Sequence, residues 1–75
     1  MKLKYSTHKS EFDVNAKEYV INMHKGSKKL HRKNGCYDSQ CLIRYYDFDS
    51  QVEAETSIVK PTLCKKCIRN GQLNP

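Results

Sequence analysis

The chain has 75 residues, enough for one domain at most. Only 37% of the residues are hydrophobic and none is tryptophan, so apolar burial alone barely offsets the entropy lost on folding. Chains of this size usually need a disulfide, a metal or a partner subunit to stay folded. The formal net charge of +6 favours anionic partners such as nucleic acid, an acidic protein surface or an anionic lipid; the alternative is that the charge only keeps the protein soluble.

The N-terminal segment, residues 1–17, predicts a strand or an ordered arm, because Leu3 and Tyr5 alternate with polar residues. It contains no apolar stretch of the length that a signal peptide needs. The longest apolar runs of the chain, 19–21 and 41–43, have three residues each, too few to span a membrane. We therefore expect a protein of a reducing compartment, the cytoplasm.

The next part of the chain predicts a β-hairpin and a third strand. Tyr, Val and Ile make residues 18–24 strand-like, and the Gly26–Ser27 pair marks a turn. Residues 28–32 can then return as the second strand of the hairpin. The stretch 42–48 is rich in β-branched and aromatic residues and predicts the third strand.

Helical signals follow the third strand. Asp49 or Ser50 can cap a short helix over 51–56, because a short side-chain oxygen accepts a free backbone N–H there. Pro61 ends that region, and a last helical turn is expected after Cys67. The whole pattern predicts a small zinc-held α+β domain, a β-hairpin plus a third strand with one or two short helices, with an N-terminal arm over 1–17, the metal-binding domain over 18–70 and a tail over 71–75.

The cysteines supply the missing cross-link. Cysteines of a reducing compartment bind metal rather than form disulfides. The Cys64-Lys65-Lys66-Cys67 segment allows one tight turn to direct both sulfurs at one metal, each about 2.3 Å from it. A redox-active pair has the same spacing but opens a long helix within a βαβ unit, which the sequence does not predict here.

The second half of the metal site lies between His31 and Cys41. Three residues, His31, Cys36 and Cys41, compete for two ligand positions. One possibility is a site of four cysteines. The other pairs His31 with Cys36, and Cys41 is then a small buried residue at the start of the third strand.

This order of elements resembles the Ada-type metal-binding domain, and more closely the short zinc modules of that superfamily on bacterial nucleases and DNA-uptake proteins. The resemblance covers residues 19–68 and rests on Tyr19-Val20, Ser27 to Arg32, Cys36, Tyr45 to Phe48, a short helix containing alanine, and Cys64 to Cys67. It implies one structural zinc ion held by His31, Cys36, Cys64 and Cys67, and thus favours His31 over Cys41.

The resemblance also bears on activity. In Ada the first ligand is a cysteine that accepts a methyl group from DNA phosphate, and an imidazole at His31 does not reproduce that chemistry. A site closed by four protein ligands leaves no open position for water. We therefore expect a protein that is not an enzyme and has no small-molecule substrate.

Basic residues flank the predicted ligands on both sides. Because ligands of one zinc ion lie close together, the two basic clusters become neighbours, which suits phosphate binding; solvated loop lysines are the alternative. The predicted nucleic-acid-binding residues are Lys25, Lys28, Lys29, Arg32, Lys33, Lys65, Lys66 and Arg69.

An acidic stretch favours a different function. Residues 36–59 contain one Lys/Arg against five Asp/Glu, namely Asp38, Asp47, Asp49, Glu53 and Glu55. A nucleic-acid-binding protein rarely needs such a strip. The alternative function is therefore a stand-alone interaction protein, for example from a phage or mobile element, that docks on a host protein and modulates it.

Overall fold

The structure is a computed structural model that describes residues 2–36, 42–69 and 72–73. Its strands are β1 (Lys4–Tyr5), β2 (Tyr19–Asn22), β3 (Lys29–Arg32), β4 (Arg44–Phe48), β5 (Thr62–Leu63), β6 (Ile68–Arg69) and β7 (Gln72–Leu73), and its helices are α1 (Lys9–Asn15) and α2 (Gln51–Glu55). Within the described ranges, one mixed sheet of five strands has the order β1-β4-β2-β3-β5, and β6 pairs with β7. The predicted α+β class is confirmed.

The predicted hairpin and third strand form the centre of the sheet. β2 pairs antiparallel with β3 on one side and with β4 on the other. A short 3-10 turn, His24–Gly26, joins the hairpin, and Lys25 (φ 54°) and Gly26 (φ 80°) take left-handed backbone conformations there. The turn overlaps the predicted Gly26–Ser27 turn at Gly26, where glycine accepts a positive φ without strain, but it begins at His24, inside the predicted strand 18–24.

The N-terminal residues form an edge strand followed by a helix. The sequence predicted a strand or an ordered arm in this segment. β1 is a strand that pairs antiparallel with β4. Helix α1 was not predicted from the sequence, because residues 9–15 contain only Phe12 and Val14 as apolar residues and show no helical stripe. Phe12 is fully buried, whereas Val14 remains 82% exposed.

Helix α2 begins as predicted, and Ser50 rather than Asp49 is its cap. The Ser50 hydroxyl accepts a hydrogen bond from the Glu53 backbone N–H at 3.2 Å. Ala54, on the inner side of the helix, is fully buried. No helix in the described part of the chain has the length and apolar character that crossing a bilayer demands.

Two separate apolar clusters result from the alternation of side chains along β2. Val20 lies in one cluster, and its neighbours Tyr19 and Ile21 lie in the other. The α1-side cluster contains Phe12, Ala16, Val20, Leu42 and Tyr45. The metal-side cluster contains Tyr19, Ile21, Leu30, Ala54, Cys64 and Cys67.

The C-terminal part of the described chain returns to the hairpin. β5 pairs parallel with β3, and the Cys64 backbone N–H donates to the Leu30 carbonyl at 3.0 Å. The expected last helical turn after Cys67 is wrong, because Ile68–Arg69 is a strand paired with Gln72–Leu73. A pair of two-residue strands has too few residues to show a hydrophobic period, so the sequence carries no signal for it.

Candidate metal centre

Four metal-ligating side chains converge beside β3. The ligand atoms of His31, Cys36, Cys64 and Cys67 all lie within 4.8 Å of one another. His31 Nδ1 is 3.6 Å from Cys36 Sγ and 3.7 Å from Cys67 Sγ. Cys36 Sγ is 3.9 Å from Cys64 Sγ, a separation too long for a disulfide bond. The cluster can therefore hold a metal ion.

The cluster is shielded from water except at one ligand. His31, Cys64 and Cys67 are only 3%, 5% and 1% exposed, whereas Cys36 is half-buried. Two of the four, Cys64 and Cys67, belong to the metal-side apolar cluster. An ion at this position would consequently bind within the hydrophobic core rather than on the surface.

A tight turn between His31 and Cys36 carries the chain from one ligand to the next. The Lys33 N–H donates to the Glu18 carbonyl at 2.7 Å, and the Gly35 N–H donates to the Arg32 carbonyl at 2.8 Å. Asn34 lies between them with a φ of 60°, a conformation that asparagine tolerates better than most residues. The Asn-Gly pair thus reverses the chain directly after β3.

Gly35 is required by the close approach of the turn to another ligand. A Cβ at this position would lie 2.9 Å from the Arg32 carbonyl oxygen and 3.0 Å from Cys67 Sγ. The first separation, to a backbone atom, is too short for a real methyl group, and the second is so tight that the sulfur would have to move by a few tenths of an ångström. Any side chain here would therefore displace either the turn or the Cys67 sulfur.

Helix α1 supports this turn from the other side. The Lys33 ammonium donates to the Asp13 and Ala16 carbonyls at 3.0 and 2.8 Å. The Asn34 side-chain amide donates to the Asp13 carboxylate at 3.1 Å, and the Lys9 ammonium donates to the same carboxylate at 2.8 Å. The hydrogen bond from Lys9, followed by that from Asn34, lowers the pKa of Asp13 below its usual value of 3.8. The exposed Asp13 therefore links the helix to the ligand-bearing turn.

The other two ligands are placed by the parallel pairing of β5 with β3. Leu63 is opposite Leu30 in the register, and the Cys64 N–H continues the ladder by one bond. The chain then turns through Lys65 and Lys66, which brings Cys67 back to the cluster. The predicted Cys-x-x-Cys turn is present, and the strand that delivers it could not be predicted from two residues.

The structure thus brings together the four residues that the resemblance favoured. Cys41, the alternative fourth ligand, lies outside the described residues, as does the acidic residue Asp38. The ligand set of four cysteines therefore stays an open alternative. Asp13, Asn34 and Gly35 were not among the predicted site residues, although the Asn-Gly pair is a turn signal that pointed to two of them.

The predicted basic residues separate into three groups. Lys29, Lys65 and Lys66 surround a cleft that reaches His31 and Cys64, and Lys25 and Lys28 are exposed at the hairpin end. Lys33 holds α1, and Arg32 approaches Glu18 at 3.4 Å, so both have contacts within the protein. The side chain of Arg69 lies outside the described part of the structure.

Comparisons with protein-family models, with curated proteins and with solved structures found no match for this chain. They do not identify an Ada-type domain, and that resemblance remains a hypothesis based on the residues quoted for it. The function must therefore be argued from the chain's own geometry and charge.

Proposed function

We propose that the protein is a small structural-zinc domain that binds nucleic acid through the lysines around its metal centre. The observation that carries this proposal is the convergence of His31, Cys36, Cys64 and Cys67 beside a lysine-lined cleft. The zinc, the absence of catalysis and the nucleic acid are separate parts of the proposal. Each has its own support.

Zinc is the metal that best fits the donor set and its spacing. Bonds of about 2.3 Å to sulfur and 2.0 Å to nitrogen place neighbouring ligand atoms of a tetrahedral site roughly 3.5–3.8 Å apart. Three of the six separations in the cluster are 3.6, 3.7 and 3.9 Å, and all six lie within 4.8 Å. Three thiolates and one imidazole form a common structural zinc site.

A structural rather than catalytic role follows from the number of ligands. Four protein ligands complete a tetrahedron and leave no position for water or a substrate. The buried ligands also contribute to the apolar cluster, so the ion would connect β3 to the Cys64–Cys67 turn. We therefore propose that the site stabilises the fold and performs no reaction.

The ligand set can be tested by metal stoichiometry. The Cys41→Ser protein should retain one zinc per chain with unchanged affinity, and His31→Ala should lose tight binding. His31→Cys, which restores a fourth ligand, should recover it. Loss of binding in Cys41→Ser together with retention in His31→Ala would instead establish the site of four cysteines.

Nucleic-acid binding is supported by exposed lysines at the hairpin end and around the cleft beside the metal centre. Lys25, Lys28, Lys29, Lys65 and Lys66 come from two distant parts of the sequence, and β3–β5 pairing brings their segments together. A local concentration of cations binds the phosphate backbone and releases counterions. Phosphate contacts carry no base information, so sequence preference should be weak.

The test is the salt dependence of binding to a labelled duplex and to a single strand. If three to five phosphates are neutralised, log K should fall against log salt with a slope of roughly −3 to −4.5 on duplex DNA. Lys17→Gln is a matched control. The Lys17 ammonium lies 3.5 Å from the Asp49 carboxylate, and Lys17 is not among the residues that line the cleft beside the metal centre. Absence of binding even at low salt would reject the nucleic-acid proposal.

A protein partner is the second candidate, and the surface formed by α2 and the residues that follow it favours it. Val52 and Ile58 are 68% and 91% exposed, and a cavity of about 340 Å³ lies beside Ile58, Phe48 and Glu53. The two functions can be separated by charge reversal of Lys28, Lys29, Lys65 and Lys66 to Glu. If the protein with all four changes keeps its biological function, a protein partner is favoured over nucleic acid.

A further inference from the structure

We propose that the cleft between β3, β5 and the Cys64–Cys67 turn binds one phosphate group of a nucleic-acid strand. This inference rests on the proposed function and assigns it a particular site. The cleft has a volume of about 490 Å³ and is lined by Lys29, Thr62, Lys65 and Lys66, with His31, Leu63 and Cys64 as its remaining wall.

The polar groups of the cleft suit a phosphate. Lys29 and Thr62 are opposite each other in the β3–β5 register, so an ammonium and a hydroxyl donor share one wall. The lysines of the Cys64–Cys67 turn provide the facing cations. Lysine ammonium groups and threonine hydroxyls are regular donors to phosphate oxygens in nucleic-acid complexes.

The charge of the cleft is also favourable. No carboxylate is among its lining residues in the described chain. Lys29 and Lys65 are exposed and take part in none of the ion pairs found among the described residues. The three lysine charges exceed the single negative charge that one zinc ion with three thiolates would carry, so the cleft remains positive.

Neighbouring lysines provide an internal contrast. Lys28 and Lys29 are adjacent and exposed, and both carry one charge, yet only Lys29 lines the cleft. A diffuse electrostatic patch would be affected equally by the loss of either charge. A defined phosphate site would be weakened by loss of the Lys29 charge but not of the Lys28 charge, because only the Lys29 ammonium reaches the bound group.

The first experiment is a titration of the zinc-loaded, ¹⁵N-labelled full chain with inorganic phosphate at low ionic strength. We expect saturable shifts in the backbone amides of Lys29, Thr62, Lys65 and Lys66. Lys29→Gln and Lys65→Gln should each weaken phosphate binding about tenfold or more, as expected for loss of a charged hydrogen bond. Lys28→Gln should change it less than twofold, and Thr62→Val should have an intermediate effect.

The second experiment identifies the source of the phosphate. Two oligonucleotides of the same sequence, one with and one without a 5′-phosphate, are titrated into the same protein. Preference for the phosphorylated strand assigns the cleft to a terminal phosphate, and equal affinity assigns it to a backbone phosphodiester. In either case the Lys29→Gln loss must exceed the Lys28→Gln loss.

Failure of this inference differs from failure of the proposed function. If the protein binds DNA with a steep salt slope but Lys28→Gln and Lys29→Gln weaken this binding equally, the phosphate site in the cleft is rejected. Nucleic-acid binding by a diffuse basic surface is then retained. If inorganic phosphate binds in the cleft while neither strand nor duplex binds, nucleic-acid binding is overturned. Absence of any shift at the cleft amides overturns the phosphate site.

Discussion

The two apolar clusters of this protein are stabilised in different ways. In the α1-side cluster the Phe12 and Tyr45 rings pack edge to face at 5.1 Å and 79°, and the buried Tyr45 hydroxyl is hydrogen-bonded to the Ser6 hydroxyl at 3.1 Å. The metal-side cluster includes Cys64 and Cys67, which are also metal-ligating residues. One face of the sheet is therefore stabilised without a metal, and the other depends on packing together with the proposed zinc.

This difference shows how a chain of 75 residues can maintain a sheet covered on both faces. A helix of seven residues and the apolar side chains beneath it cover one side. The other side has a helix of only five residues, and an ion held by His31, Cys36, Cys64 and Cys67 would add a cross-link between distant parts of the chain. The hydrogen bonds of Asp13 connect the two halves.

Removal of the metal should have the largest effect on the stability of the protein. Structural zinc contributes about 10–16 kcal/mol in apparent terms, comparable with the roughly 5–15 kcal/mol stability of a whole domain. Excess chelator should therefore unfold most of the chain, and added zinc should restore it, as followed by circular dichroism. A spectrum that chelator leaves unchanged would contradict the zinc assignment.

Truncation of the packed aromatic residue tests the metal-independent cluster. Phe12 is fully buried, and Phe12→Ala should lower the free energy of unfolding by about 3–5 kcal/mol. Chemical denaturation of the zinc-loaded protein measures this loss. The cobalt-substituted protein should keep the absorption of its thiolate ligands, because the change is in the α1-side cluster. Loss of that absorption in the folded protein would show that the two clusters are not separable.

A methyl group at Gly35 should act on the metal centre and little elsewhere. Gly35→Ala introduces a Cβ 3.0 Å from Cys67 Sγ, so zinc affinity should fall about 10–100-fold, as for other changes beside a ligand shell. Gly26→Ala is the matched control, since no atom lies within 4 Å of its Cβ position and its strain is confined to the hairpin turn. Equal zinc affinities in the two variants would refute the close-approach argument.

Loss of the Asp13 carboxylate, which connects α1 to the turn after β3, should have the smallest effect on the free energy of unfolding. Its folded-state pKa lies below the usual 3.8, so its stabilising contribution is present above that pH and is lost as pH falls through the folded pKa. Urea unfolding of zinc-loaded wild-type protein and Asp13→Asn should therefore show a small, constant difference from pH 7 to pH 5. A difference that already shrinks within this range would contradict the lowered pKa.

Local sequence signals predicted the parts of the fold that local chemistry determines. The β-branched run at Val20-Ile21, the Ser50 cap and the two-residue spacing of Cys64 and Cys67 each specify a feature within a few residues. The α+β class and the four-residue cluster followed from them and from the resemblance. Zinc itself, nucleic acid and the absence of catalysis remain predictions.

The features that the sequence did not predict depend on distant contacts. Helix α1 is held by one deeply buried side chain, Phe12, which lies in a cluster with Val20 and Tyr45. β5 is only two residues long and pairs with a strand some thirty residues earlier, so no period reveals it. Lys33 was counted among the phosphate-binding residues, yet its ammonium group donates to two carbonyls at the end of α1.

The sheet has strands of only two residues, β1 and β5, on its two sides. Short border strands offer few free backbone groups to another molecule, which limits association of sheets edge to edge. β5 leads directly into Cys64, so loss of a bound ion would release β5 early in unfolding and expose the four-residue backbone of β3. We expect the chelated protein to self-associate with rising concentration, as measured by light scattering. A bound ion would thus also keep this edge of the sheet covered.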